Sequence, residues 1–510
     1  MEISNPYQPL LSVDDGENNV SQQELAAQAQ ERQTAEKRLV RKLDTRLLPF
    51  LSFMYLFSSL DRSSLGNAVL DNFEQDVGIT PDQFNTCVTI FYVCWIFDLS
   101  DSKQYSTKAI YSQEMASIAM LTQLPLLMIC WGSIACLHAA VKNYQQLMTL
   151  RFFLGFFEAG FFPGVVYFLT LFYKKNEMAT RIALFWGSTV AAHAYAGVLA
   201  YGILQLRGNG GLTGWQWLFL IEGIPTVVVA VVSFFYLPAS PSTWSMFTEE
   251  EKILAIERLN EGGEITNHHI TLGDLDASNK KQALKALTDW KVWMYMVMFF
   301  CGSVPNTSIS NFLPSIVKGM GYNDKLSANL MSAPPYVGAV FVMIAGAYSS
   351  DRRKDRAFHA IAGACVCMIG YIILTVCTTR PALYTGVCIA VAGIFVINPI
   401  VNAWLTGNIA PDMKKGVATA MAVSANNSAG LLGSNIYRHS DAPRYLRGHI
   451  ANLIFIVIFI CLALTQRFLL QRANKKKYEE KSKLTADELQ QVLENDSRVG
   501  DESLDYVYRL

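Results

Sequence analysis

Charge is scarce in this sequence. Only 16% of its 510 residues are Asp, Glu, Lys or Arg, against about 25% in soluble domains. Hydrophobic residues make up 51%, and mean hydropathy is +0.23. That balance, with repeated long apolar runs, excludes an ordinary soluble domain and points to a polytopic membrane protein. Neither sign is in excess, since 42 basic residues meet 42 acidic ones. Overall charge thus suggests no nucleic-acid partner. No CxxC occurs, and all ten cysteines lie in or beside apolar runs. They read as buried small apolar residues, with no disulfide framework and no zinc site. The first twenty residues lack a basic segment followed by an apolar core, so no cleavable signal peptide is expected. There is no GxxxxGK[ST], HExxH or GxSxG. This argues against an ATP-driven P-loop pump, a zinc protease and a serine hydrolase. No enzyme activity, metal or organic cofactor is expected.

Apolar runs fall at 47–70, 84–99, 118–141, 147–173, 181–204, 215–237, 290–316, 329–350, 357–378, 383–407, 416–437 and 449–470. A bilayer core takes about 20 residues per helix, so these predict an all-α membrane protein with twelve transmembrane helices. The longest polar connection, 238–289, divides them six and six. The expected organisation is an N-terminal segment 1–46, a six-helix bundle 47–237, a linker 238–289, a second six-helix bundle 290–470 and a tail 471–510. Within the linker, "FTEEEKILAIERL" predicts a short surface helix from its acid-rich start.

Basic residues set the orientation. They cluster before the first span, at Lys174 and Lys175, at Arg352–Arg356, and after the last span. With twelve spans all these fall on one side, which the positive-inside rule makes cytoplasmic, along with both termini. The loop 438–448, with three arginines, dissents.

The second run is the anomaly. "VGITPDQFNTCVTIFYV" enters it much as "MGYNDKLSANLMSAPPYV" enters the eighth. The eighth then continues unbroken, whereas the second meets Asp98 and Asp101 and about twenty mostly polar residues, 98–117. An uncompensated Asp at a helix centre costs about 2.5–3.5 kcal/mol on insertion scales. Eleven spans would put the basic 174–175 and 351–356 loops on the wrong side, so the run counts as a second helix, truncated or disrupted.

Ionisable residues inside spans are expensive and line cavities or pair with one another. Asp61 and Arg62 sit in the first run. Arg151 and Glu158, seven residues apart on the fourth, share a helix face. Glu222 lies in the sixth beside Gly223 and Pro225. Arginines can clamp a carboxylate and acids can exchange a proton; the alternative for each is an ion pair that orients the bundle. Glu222 could also partner the arginines. Gly155, Gly160 and Gly164 allow close helix contact, and Pro163 a kink. His193 reads as a packing histidine. Among many amides in the second half, Asn311, Asn398 and Asn426 are the substrate-facing candidates, the rest serving interhelical hydrogen bonds.

Several stretches, in order, resemble fungal members of the major facilitator superfamily, and more narrowly its anion:cation symporter family of allantoate, nicotinate and pantothenate permease-like proteins. They are "KLDTRLLPFLSFMYLFSSLDRSSLGNA", "GITPDQFNTCVTIFYV", "LRFFLGFFEAGFFPGVVYFLTLFY", "GWQWLFLIEGIPT", "GAYSSDRRKDR", "DAPRYLRGHIANL" and the closing "VGDESLDYVYRL". The resemblance implies two six-helix bundles around a central cavity, alternating access, and proton-coupled uptake of a small organic anion by a monomer in the plasma membrane. The proton is then the coupling ion. The family pattern maps onto Asp61, Arg62, Arg151, Gly155, Glu158 and Glu222. Asp351, Arg352 and Arg356 match its cytoplasmic gating loop. The fifth span lacks the Gly-Pro motif of drug:proton antiporters, which argues against efflux. In place of the rest of the family's second helix and its basic loop stands "DLSDSKQYSTKAIYSQEMASIAMLTQ". Such a clean replacement has the pattern of a translated intron with a neighbouring exon lost; a variant loop is the alternative. A non-transporting nutrient receptor and a non-functional product of a misread gene are the competing functions.

Overall fold

The computed structural model describes residues 22–98, 113–238, 240–261, 281–321, 325–353, 355–483, 500–504 and 506–510. Most of the anomalous stretch 98–117 lies outside the described residues. The helices that match the apolar runs are α1 (Gln22–Ala68), α2 (Pro81–Asp98), α3 (Gln113–Leu137), α4 (Tyr144–Thr170), α5 (Lys175–Leu204) and α6 (Gly214–Tyr236). In the second half they are α7 (Trp290–Gly319), α8 (Lys325–Arg353), α9 (Arg356–Val376), α10 (Arg380–Asn408), α11 (Asp412–Ile436) and α12 (Leu446–Lys481). The surface helix expected in the linker forms at Glu249–Glu261.

By length and composition, α3, α4, α6, α8, α9, α10 and α12 are apolar enough to cross a membrane. Phe235, Phe341 and Val376, each at least 70% exposed, stand on such helices with no protein over them, as side chains facing lipid do. The other five, α1, α2, α5, α7 and α11, have no comparably long apolar stretch among the described residues. They form the walls of the cavity between the halves.

Packing follows an internal symmetry. In the first half α1 packs on α5, α2 on α4 and α3 on α6. Adding six to each number gives α7 on α11, α8 on α10 and α9 on α12, which are the observed pairs of the second half. The halves meet where α5 packs on α8 and α11 on α2, again exchanged by the same rule. The sequence likeness between the entries to α2 and α8 is the local trace of this repeat.

Each helix runs from one end of the molecule to the other, so α1 begins at the end where α12 finishes. At this terminal end Lys42 pairs with Glu251 at 2.6 Å, Arg181 with Asp44 at 2.6 Å and Lys174 with Glu36 at 3.3 Å. Buried Arg258 pairs with Glu177. These bonds tie the surface helix to α1 and α5. At the opposite end Arg207 binds Asp71 at 2.9 Å, and Trp215 donates to Asp76 at 2.9 Å.

Two buried apolar cores result. One fills the terminal end of the first half, and its fully buried members all precede residue 256. The other runs through the second half and crosses into the first half between its middle and the opposite end, through residues such as Leu65, Phe84, Val190 and Ala200. The halves are therefore welded at the opposite end. Three glycines make that weld possible. A Cβ at Gly66 of α1 would lie 2.5 Å from the Asn311 carbonyl oxygen of α7. One at Gly197 of α5 would lie 2.6 Å from the Asn329 oxygen of α8, and one at Gly430 of α11 would lie 2.4 Å from the Tyr92 ring of α2.

The bend expected at Pro163 occurs one turn earlier. α4 breaks at Gly160, between Tyr144–Ala159 and Phe161–Thr170. Pro163 has no N–H for the Ala159 carbonyl, so the ladder opens there.

At the start of α9, Asp355 caps the helix by accepting from the Phe358 N–H at 3.0 Å, and Arg467 of α12 donates to it at 2.5 Å. Partial burial works against its charge, but those two bonds outweigh it and hold its carboxyl below the usual carboxylate range. A lowered carboxyl contributes stability that is present above the unfolded value and lost as pH falls through the folded one. Asp355→Ala is expected to cost about 1–2 kcal/mol, read as a lower melting temperature of the purified protein at neutral pH. The deficit should shrink on acidification below the folded value of Asp355.

Candidate functional site

A cavity of about 100 Å³ lies between the halves. That is below the ~300–1,000 Å³ of sites for drug-sized ligands, so it suits a small solute. From the first half its wall takes Tyr55, Ser59, Arg62 and Ser63 of α1, Tyr92 of α2, Phe162 of α4, and Thr189 and His193 of α5. From the second half it takes Asn306, Thr307, Ser310 and Asn311 of α7 and Val423, Asn426 and Asn427 of α11. Apart from Phe162, every lining residue comes from the five less apolar helices. The polar groups that face the cavity interrupt the apolar stretches of these helices.

Arg62 is the cationic group in this wall. Its Nε donates to Glu158 Oε1 of α4 at 2.6 Å, and Nη2 donates to Ser58 Oγ at 3.2 Å. Ser58 in turn donates to the same Glu158 oxygen. The guanidinium lies 5.9 Å from the Tyr55 ring centre and 5.8 Å from that of Phe91. Glu158 is fully buried, and its other oxygen, Oε2, has no hydrogen-bond partner among the described residues.

Asp61, Arg151 and Glu222 lie behind this wall, all buried. Glu222 accepts from Ser64 of α1 through one oxygen, while its Oε1 has no partner among the described residues. Its hydrogen-bond partner is thus a serine and not an arginine. Asp61 Oδ2 likewise has no hydrogen-bond partner among the described residues, nor do Nε and Nη2 of Arg151. Arg62 and Arg151 both border a chamber of about 20 Å³, room for about one water. Arg151 and Glu158 share a face as the spacing implies, but Glu158 turns its hydrogen bond to α1.

Of the amide candidates, Asn311 and Asn426 line the cavity. Asn398 does not: it is buried on α10, with its Oδ1 3.6 Å from where a Cβ on Gly302 of α7 would stand. Asn306 and Asn427 line the cavity without having been singled out, and Asn306 Oδ1, Asn311 Nδ2 and Asn427 Nδ2 have no partners among the described residues. Their signal was helical spacing: 306 and 427 follow the cavity faces of α7 and α11. His193, read as packing, also reaches the wall. Its Nδ1 lies 2.7 Å from the Thr189 carbonyl, and its ring centre lies 5.3 Å from that of Tyr336.

At the terminal end Arg356 pairs with Asp351 at 2.6 Å, and Arg352 is exposed. These three candidates stand away from the cavity, on the α8–α9 connection.

Residues 51–434 match the family model described as Major Facilitator Superfamily. The chain belongs to the major facilitator superfamily. It is 34% identical to the MFS-type transporter efuF of Hormonema carpetanum over 83% of each chain. It is 30% identical to the high-affinity nicotinic acid transporter of Saccharomyces cerevisiae, over 93% of this chain and 85% of that one. Its fold matches a bacterial homologue of the human lysosomal transporter Spinster in an inward-facing, unoccupied conformation. The TM-score is 0.62 at 14% identity, over 83% of this chain and 97% of that one. The superfamily chain is thus an all-helical, multi-pass membrane transporter of a small substrate, not an enzyme.

Proposed function

We propose that this transporter takes up a small organic anion, a carboxylate, together with a proton, and that it belongs to the anion:cation symporter family. The two six-helix bundles, 47–237 and 290–470, rock about the cavity between them, in the plasma membrane and with both termini cytoplasmic. The observation that carries this reading is the Arg62–Glu158 pair in the cavity wall. An arriving carboxylate takes the guanidinium from Glu158. Released from its cation, Glu158 lies buried with only the Ser58 hydroxyl on one oxygen, and it takes up a proton. Anion and proton then enter the site together, and the local charge does not change. Asp61, Arg151 and Glu222 supply further groups through which the proton can pass.

The second-half amides Asn306, Asn311 and Asn427 offer unpartnered polar atoms to the remainder of the substrate. Tyr55, Tyr92 and His193 offer ring faces. Nicotinic acid, named for the yeast relative, is an aromatic carboxylate of this kind. The weld at the opposite end, with separate cores at the terminal end, corresponds to a cytoplasm-facing state if the termini are cytoplasmic.

Radiolabelled small carboxylates, nicotinic acid first, test the reading in cells expressing the chain. Saturable uptake that collapses with a protonophore is expected. Uptake indifferent to the proton gradient contradicts it. Binding without flux in proteoliposomes would favour the receptor alternative.

A further inference from the structure

The carboxyl-terminal residues 500–504 and 506–510 pack into the second half. Asp501 is fully buried. Its carboxylate is held by Lys291, in the first turn of α7, and by Lys414, in the first turn of α11, the latter at 2.9 Å. Both lysines are themselves buried, and both also pair with Asp289, at 3.4 Å from Lys291 and 2.6 Å from Lys414. The four groups, two cations and two anions, close into one buried square.

The chain around Asp501 is fastened residue by residue. Lys477 of α12 donates to the carbonyls of Asp501, Ser503 and Tyr506 at 2.8–3.0 Å. Asn474 of α12 exchanges two hydrogen bonds with the Tyr508 backbone, at 2.8 and 2.9 Å. Asn408 of α10 does the same with Arg509, at 2.8 and 2.7 Å. The Leu510 carbonyl accepts from the Arg356 N–H at the start of α9, at 2.5 Å. Gly500 has a φ of +72° and sits where a Cβ would strike the Ala410 backbone at 2.6 Å. Only glycine fits this approach.

The helices joined by the buried square are α7 and α11. These are also the two second-half helices whose side chains line the cavity. They pack on each other along their length, and the square lies at their terminal ends. We propose that Asp501 is a positioning residue for the transport site: by holding Lys291 and Lys414 it fixes the spacing of α7 and α11, and so the separation of the amides on the two helices. The segment 500–510 thereby makes the second half one rigid body. This rests on the central cavity being the transport site, but the geometric test below does not.

In the full chain with its ten cysteines replaced by Ser or Ala, nitroxide labels at Thr288→Cys and Gly416→Cys report the spacing of the two helix starts. Both positions are exposed, and a side chain at 416 meets no atom within 4 Å. Asp501→Asn should broaden the distance distribution and shift its mean, while Asp501→Glu should restore it. In transport, Asp501→Asn should raise KM on the order of tenfold, the effect of one lost charge-assisted contact, with a smaller change in kcat. If Asp501→Asn fails to accumulate, Tyr508→Phe serves in its place. It removes only the hydroxyl that accepts from Lys291 at 3.0 Å and donates to the Asp501 carbonyl at 2.6 Å, and it should broaden the same distribution. An unchanged distribution overturns the proposal, and so does a change in KM without one. A broadened distribution in a protein that moves no carboxylate upholds the positioning role and refutes the anion reading instead.

Discussion

Glu158→Gln is expected to abolish proton-driven accumulation of the substrate while leaving substrate exchange in place. The glutamine keeps the shape of the side chain and can still accept from Arg62 Nε, which now lies 2.6 Å from Oε1. It cannot carry the proton. The neutral amide also holds Arg62 less strongly, so the guanidinium is more available to the carboxylate. Accumulation against a gradient should fall on the order of 100-fold, equivalent to the ~3 kcal/mol at the upper range for a hydrogen bond to a charged group. Counterflow of labelled against unlabelled substrate, which needs no net proton movement, should survive. Loss of both would assign Glu158 a structural role. Retention of both would remove it from coupling.

Gly66→Val is expected to push the protein out of the conformation described here. The obstacle is the backbone oxygen of Asn311, 2.5 Å from the new Cβ, and a backbone atom cannot swing aside as a side-chain end can. α1 and α7 must part at the opposite end. Overpacking of this kind costs about 1–3 kcal/mol, which shifts a two-state population about 5- to 150-fold. Ser310 lines the cavity behind this crossing. In a Ser310→Cys background, a membrane-impermeant thiol reagent applied from outside the cell should react faster by that factor in Gly66→Val. An unchanged rate would mean that this crossing does not close the cavity from that side.

The helices were legible because apolar runs report lipid contact directly, and α4, α6, α9 and α10 begin within three residues of their runs. α1 was only partly legible. It starts at Gln22, well before the apolar run, because its polar turns rest on the surface helix through Lys42 and Glu251 instead of on lipid. The ionisable residues were legible as costly exceptions. Their partners were not. Spacing placed Arg151 and Glu158 on one face, but which cation meets Glu158 depends on how α1 is rotated against α4. The same holds for Asn398, Asn306 and Asn427: an amide's chemistry is plain in the sequence, whereas the helix rotation that turns it inward is set by packing. The glycines at the weld gave the least signal, since a single Gly names no neighbour. For the tail, the closing motif marked a resemblance, but the lysines that hold Asp501 lie 210 and 87 residues away.

The proton itself is the most direct test. Purified protein is reconstituted in liposomes containing a pH indicator, with no initial pH gradient, and a transported carboxylate is added outside. The exchange of partners at Arg62 predicts that the lumen acidifies as the anion enters, with one proton for each monovalent carboxylate. It also predicts no dependence on an imposed potassium diffusion potential. Carboxylate entry with no change in luminal pH, or entry driven by the membrane potential alone, would contradict it.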